Sequence, residues 1–462
     1  MTRVLHVSLI VGVLTAGASA AARYVAYDEV SGVLTSLAGL VSPDLKNGDT
    51  LLPARWPEWA SRYDRQIRSR LEAGDQETVV NWLLFGTTFT RQPRVPLEEL
   101  GTSSPTRRLT DAQIADLIGD RAADLVTALA NPGQDERRLF ARDLFARQGY
   151  SLATPAERLR LLQRILTMVT EVTTERAKLA RETESIQRLD ASEQFARRSK
   201  LFRERGLSAD TSFRPNYALE RALATMKEKG TLAPGSVREI AVIGPGLDSA
   251  DKSSGYDFYP QQTLQPFALL DSLVRLGIAA DARNLHVTTL DLSPRVNAHL
   301  ATMKRRARAG QPYRIRLPLS PDVPWQPEVL AYWKTTGDRI ATASPAVATT
   351  VNGEKVNVRT LSVRPEVATR VDADDVNVVV QRLDQPKFDL IVATNVFIYY
   401  DLLDQALTMT NVRAMLRRGG YLLTNNSMPE LPGSGMRSIG YVTVQYSTLP
   451  DDGDHMVWYR AE

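Results

Sequence analysis

The chain has 462 residues, of which 43% are hydrophobic and 24% charged, an ordinary globular composition whose length suits roughly two or three domains. Lys and Arg number 57 against 53 Asp and Glu, a net charge of +4 carried by scattered arginines, so no nucleic-acid partner is implied. Cysteine is absent, which excludes disulfides, thiol nucleophiles and Cys-ligated metals, and the four histidines (His6, His286, His299, His455) lack any metal-ligand spacing.

In chain order, Met1-Thr2-Arg3 precedes an apolar run, Val4 to Ala18, and then Ala18-Ser19-Ala20-Ala21. This is the layout of a secretory signal with an A-x-A cleavage site. An uncleaved membrane anchor is the alternative, and either reading exports the rest of the chain to the periplasm or cell envelope.

Residues 23–206 read as a helical region. Trp59, Tyr63, Ile67 and Leu71 recur on one face, Gly74 is expected to stop that helix, and Asp75 to cap the next, with Val79, Val80, Leu83 and Leu84. Thr110 precedes a helix containing Ile114, Leu117, Ile118, Leu125 and Val126. Thr154-Pro155-Ala156-Glu157 combines a capping threonine, a proline in the first turn and a glutamate placed to return the hydrogen bond. The helix behind it is expected to reach about Phe202, as a helical hairpin packed on itself or as a stalk for a protein partner. A linker, Gly206 to Pro215, and a helix, Tyr217 to Lys229, follow within residues 207–236.

From residue 237 the pattern alternates strand and helix, which specifies an α/β domain with a largely parallel sheet. Strands are expected at Ile240–Ile243, Leu285–Leu290, Val376–Val380, Phe388–Ala393, Gly420–Asn425, Val442–Tyr446 and His455–Tyr459. An insertion at about 306–375 carries a hairpin signal, Ala348–Val351 and Lys355–Val358 around Asn352-Gly353.

Several residues can carry chemistry. The first strand ends on Gly244 and Gly246, but its helix is delayed by a loop holding Asp248, Asp251, Tyr256, Asp257, Phe258 and Tyr259. The second strand ends on Asp291, whose carboxylate can accept both hydroxyls of a ribose or cap the helix after Ser293-Pro294. A nicotinamide dehydrogenase is the nearest competing enzyme, but its acid falls about 20 residues past the glycines, and Asp291 lies well beyond that. No G-x-S-x-G elbow or Walker loop appears.

The glycine turn, Asp291, the segment FDLIVATNVFIYYD (388–401) and the turn LRRGGYLL (416–423), in that order, resemble the class I S-adenosylmethionine-dependent methyltransferases. Within that superfamily the chain is most similar to the chemotaxis receptor methyltransferase type, over roughly residues 237–462. The resemblance implies a doubly wound, Rossmann-like sheet with an antiparallel C-terminal strand, a β-hairpin insertion, and S-adenosylmethionine as cofactor. It implies that Gly244 and Gly246 hold the methionine end, Asp291 the ribose and Asp384 the adenine, with Asn395 and Tyr399 on the acceptor side. The acidic and aromatic loop with Asp248 and Asp251, whose charge suits a cationic sulfonium, is expected to fold over the carboxyl edge of the sheet and complete the methionine end.

The chain departs from the family pattern at Val242, where members usually carry an acid, and at Pro245, which removes a backbone N–H from the loop. Asn395, Tyr399, Tyr400 and the loop aromatics also suit ordinary packing roles. Two readings therefore stand: an exported methyltransferase of unknown acceptor, and a non-catalytic protein that keeps the fold and binds an envelope partner through its helical half.

Overall fold

A computed structural model describes residues 22–95, 109–186, 206–249, 256–351, 354–384, 388–428, 430, 434–450 and 452–462. The signal or anchor segment, Asp251, Asn352-Gly353 and the end of the helix expected to reach Phe202 lie outside these residues. The chain opens with β1 (Arg23–Tyr24), α1 (Tyr27–Ser36) and the short pair β2 (Lys46–Asn47) and β3 (Thr50–Leu51). The helices α2 (Trp56–Phe85), α3 (Asp111–Ala130), α4 (Glu136–Arg147), α5 (Pro155–Ile186) and α6 (Arg214–Glu228) follow. Then come β4 (Glu239–Ile243), α7 (Gln265–Arg275), β5 (His286–Asp291), α8 (Pro294–Arg308), β6 (Tyr313–Leu319) and α9 (Pro327–Thr335). The insertion continues as β7 (Ala341–Ala343), β8 (Val347–Val351), β9 (Glu354–Val363) and one turn, α10 (Pro365–Ala368). The chain closes with β10 (Val371–Asp375), β11 (Gln381–Arg382), β12 (Phe388–Ala393), α11 (Leu402–Met415), β13 (Leu416–Thr424), β14 (Met436–Gln445) and β15 (Gly453–Ala461).

The main sheet has seven strands in the order β10-β5-β4-β12-β13-β15-β14. β10, β5, β4, β12 and β13 pair in parallel, and β15 runs antiparallel between β13 and β14. The order reverses between β4 and β12, so a crevice opens at the carboxyl ends of these two strands, where such sheets bind ligands. Strand alternation sends Ile240, Val242, Val287, Leu390 and Trp458 into a core with α6, α7 and α8, and Ala241, Ile243, Leu290, Ile391 and Tyr459 into a core on the opposite face. The insertion forms a second sheet in which β6 and β7 flank β9, and β8 also pairs with β9.

The N-terminal elements cover that opposite face. β1 pairs with β11, Val30, Val33 and Leu34 of α1 pack into the core there, and Trp56, Trp59 and Ile67 of α2 join them. Val79 to Leu84 of the same helix belong instead to a separate core built with α3, α4 and α5. At 30 residues α2 is about 45 Å long, enough to serve both.

Two sequence expectations are corrected. Gly74 does not stop a helix: α2 runs through it unbroken. The glycine is there because a Cβ would lie 1.9 Å from the carbonyl oxygen of Leu207, so it lets another segment approach the helix closely. The third strand of the sheet is β10, Val371–Asp375, not Val376–Val380. The apolar residues 376–380 turn into the core, with Asn377 donating to Asp64 (2.9 Å) and accepting from Val379 N (3.2 Å). The capping box expected at Thr154 forms, with reciprocal hydrogen bonds to Glu157, and Thr110 makes a second one with Gln113.

Candidate functional site

At the switch point of the sheet lies a cleft of about 740 Å³, its open mouth included. Gly244, Gly246, Asp291, Asn395 and Tyr399 all line it. Gly244 and Gly246 both have φ +64, the left-handed backbone that glycine adopts without strain. Gly244 N donates to Leu290 O (2.9 Å), which binds the turn to the neighbouring strand. A Cβ on Gly246 would meet the carbonyl oxygen of Ala209 at 2.7 Å.

That carbonyl belongs to a strap, residues 206–213, laid against the glycine turn. Leu247 N donates to Ala209 O (2.7 Å) and Thr211 N to Leu247 O (3.0 Å), a parallel bridge centred on Asp210 and Leu247. At its other end Leu207 N donates to Arg70 O (3.0 Å) of α2. Leu71, Leu207, Ser208, Asp210 and Thr211 thereby line the cleft, and sequence reading assigned none of them to it.

Asp291 ends β5 and is buried; its Oδ1 accepts from Ser293 N (2.7 Å). Burial pushes its carboxyl up to about 6, against the backbone N–H groups of Ser293 and Gly246, which pull it down. Both roles weighed for this acid are therefore compatible: one oxygen caps α8 while the residue faces the cleft. Ile243, Leu292, Val376 and Val378 add apolar wall beside it.

The exit of β12 forms the other side. Asn395 is the one non-glycine residue with a left-handed backbone (φ 59) among the described residues. Asn425 holds it, its Oδ1 accepting from Asn395 N (2.8 Å) and its Nδ2 donating to Asn395 Oδ1 (2.8 Å). A strained, side-chain-locked residue at a cleft is a marker of function. Thr394, also in the lining, accepts from Gln265 Nε2 (2.7 Å), while Gln265 Oε1 is buried without a hydrogen bond among the described residues. Tyr399 lies in the single turn Phe397–Tyr399, and its neighbour Tyr400 is buried.

Two proposed contacts lie elsewhere. Asp248 is turned inward, accepting from Tyr259 Oη (2.9 Å) and Gln262 Nε2 (3.0 Å), and does not line the cleft. Asp384 is exposed and paired with Arg23 (2.8 Å), because β11 is tied to β1 at that point rather than to the sheet's binding edge. The described part of the loop that delays α7, residues 247–249 and 256–264, is fastened to other elements rather than laid over the cleft. Asp257 binds it to the helical region, and Tyr256 and Tyr259 pack on Val356 and Val358 of β9.

The donor set suits a nucleoside: a buried carboxylate beside an apolar wall, next to a glycine turn at the switch point of a parallel sheet. A family model described as "CheR methyltransferase, SAM binding domain" matches residues 342–432. No curated protein matches the chain. Among solved structures the chain is similar to the N-methyltransferase NodS from Bradyrhizobium japonicum WM9, at 12% identity over 52% of this chain and 96% of that one, with a TM-score of 0.25. It is similar also to the glycopeptide N-methyltransferase MtfA, solved with S-adenosyl-L-homocysteine, at 14% identity over 55% and 92%, TM-score 0.28. The magnesium protoporphyrin IX methyltransferase from Synechocystis PCC 6803, with bound SAM, gives 10% identity over 60% and 86%, TM-score 0.26. The family model, matched over residues 342–432, and the order of the seven strands make the C-terminal part of the chain similar to the class I methyltransferases of CheR-like type, and they support S-adenosylmethionine as its cofactor.

Proposed function

We propose that the protein transfers a methyl group from S-adenosylmethionine to an acceptor held over the carboxyl edge of the sheet, outside the cytoplasm. The observation that carries this reading is the convergence of Gly244, Gly246, Asp291, Asn395 and Tyr399 on one cleft at the switch point. Asp291 holds the ribose hydroxyls, the glycine turn lets the ligand lie close to the backbone, and Ile243, Leu292 and Val378 flank the base. Bound there, the cofactor supplies an electrophilic methyl on a sulfonium. Asn395 and Tyr399 orient the acceptor, and the strap shields the reacting atoms from water. No general base stands among these residues, which suits an acceptor that needs none, such as a carboxylate.

A thermal shift of the purified protein with S-adenosylmethionine and with S-adenosylhomocysteine tests the reading. Ligand that binds only the native state raises the melting temperature once its concentration exceeds Kd. A flat response at millimolar ligand would favour the second reading, a binding protein on a retained fold, for which Val242 and Pro245 speak. Export rests on residues 1–22, and cell fractionation tests it: recovery in the cytosol would overturn it.

A further inference from the structure

We infer that Asp210, carried by the strap and held by the helical region, binds the α-ammonium group of the cofactor's methionine end. This rests on the cofactor reading above and goes beyond it by naming the recognising residue. The first strand cannot supply the carboxylate: Val242 is fully buried in the core shared with α6 and α7. Asp248 is spent on Tyr259 and Gln262. Asp210 lines the cleft one strap residue from the carbonyl that meets Gly246, and its side chain is 5% exposed.

Its two oxygens differ. Oδ2 accepts from Thr78 Oγ1 of α2 (2.9 Å). Oδ1 is buried and accepts no hydrogen bond among the described residues. The nearest cation is Arg295, whose Nη2 stands 3.9 Å from Oδ1 and 3.5 Å from Asp75, while its guanidinium lies over the ring of Phe140. Arg295 therefore compensates charge without filling the acceptor. A carboxylate oxygen left unbonded in a buried place is costly, and a ligand ammonium, with three donors and no acceptor, is the group that completes it. Asp291, anchored on Ser293, remains for the ribose.

The helical region then becomes a working part of the site. Thr78 fixes Asp210 from α2, and Gly74, four residues earlier on the same helix, gives the strap room to reach it. Recognition of the amino-acid tail depends on this junction, whereas recognition of the nucleoside does not.

The test is calorimetry on the full chain with three ligands: S-adenosylhomocysteine, its analogue lacking only the α-amino group, and methylthioadenosine, which lacks the whole amino-acid tail. Wild-type protein is expected to bind S-adenosylhomocysteine about tenfold or more tighter than the des-amino analogue, the scale of one charge-assisted hydrogen bond. Asp210→Asn should weaken S-adenosylhomocysteine by a similar factor and leave methylthioadenosine unchanged, and Thr78→Val should give a smaller loss of the same kind. Equal wild-type affinity for the amino and des-amino ligands overturns the inference even if the variants do not fold. So does an Asp210→Asn protein that binds S-adenosylhomocysteine normally, or one that loses methylthioadenosine in parallel. A wild type that binds none of the three instead overturns the cofactor reading itself.

Discussion

Two acids on either side of the first strand of the sheet, Asp257 after it and Asp210 before it, are used in opposite ways. In the loop after β4, Asp257 is saturated. Its Oδ1 accepts from Thr87 N (2.7 Å) and Oγ1 (2.6 Å), and its Oδ2 from Trp82 Nε1 (2.8 Å), Thr88 N (3.1 Å) and Thr88 Oγ1 (2.6 Å). In the strap before β4, Asp210 has one oxygen satisfied and one not. A fully bonded carboxylate fastens one part of the molecule to another; a half-bonded one beside a cleft is set for a ligand. The described part of the loop that delays α7 thus belongs to the scaffold, and the cleft is lined instead from the N-terminal side by the strap.

The contrast breaks first at Asp257. Burial raises its carboxyl, but the hydrogen bonds from Thr87 and Thr88 and the nearby Arg137 and Trp82 more than offset that and leave it below the usual range. Asp257→Ala strands five donors and should cost about 3–5 kcal/mol of stability, seen as a large fall in Tm. At Asp291 the sign is reversed. A carboxyl raised from 3.8 to about 6 binds more protons folded than unfolded, so the ligand-free protein loses stability as pH rises from about 4 to about 6 and gains none back above it. The shift of about two units corresponds to about 3 kcal/mol. Asp291→Asn, which keeps an acceptor for Ser293, should remove that slope, raise Tm at pH 7 and weaken nucleoside binding. Denaturant unfolding at a series of pH values checks it, and an unchanged slope would count against the burial of this group.

Smaller effects sharpen the same comparison. Gly74→Ala places a Cβ against the strap and should destabilise by about 1–3 kcal/mol while lowering affinity for S-adenosylhomocysteine. Gly119 lies in α3 with open space around it, so Gly119→Ala should stabilise by about 0.5–1 kcal/mol and leave binding untouched. Equal effects at the two glycines would mean that the strap does not depend on its close passage over α2.

What was legible in the sequence was local. Glycines at the exit of β4, an acid at the end of β5 and the NVFIYYD segment are each read from a few adjacent residues, and all three reach the cleft. Phe388–Ala393 was placed to the residue because it is central and buried on both faces. The third strand was missed because it is an edge: VDADD is mostly polar, with Asp372 bound to His286 (2.7 Å) and Lys304, while the more apolar VNVVV beside it fills core without pairing in the main sheet. Gly74 reads as a helix stop because the segment that needs its missing side chain lies more than a hundred residues away in the chain. The roles of Asp210, Asp257 and Asp384 are hidden in the sequence for the same reason: their partners on α2, the 87–88 turn and β1 are remote in the chain. The cover of one sheet face by α1 and α2 was likewise invisible, since amphipathic spacing gives a buried face without naming what covers it.

The most direct measurement is calorimetric titration of S-adenosylhomocysteine into wild-type protein and into the Asp291→Ala variant. Saturable one-site binding to the wild type is expected, with a loss of affinity of about tenfold or more in the variant. Wild-type protein that releases no heat at millimolar ligand, or two proteins with the same Kd, would contradict the assignment of this cleft to the nucleoside.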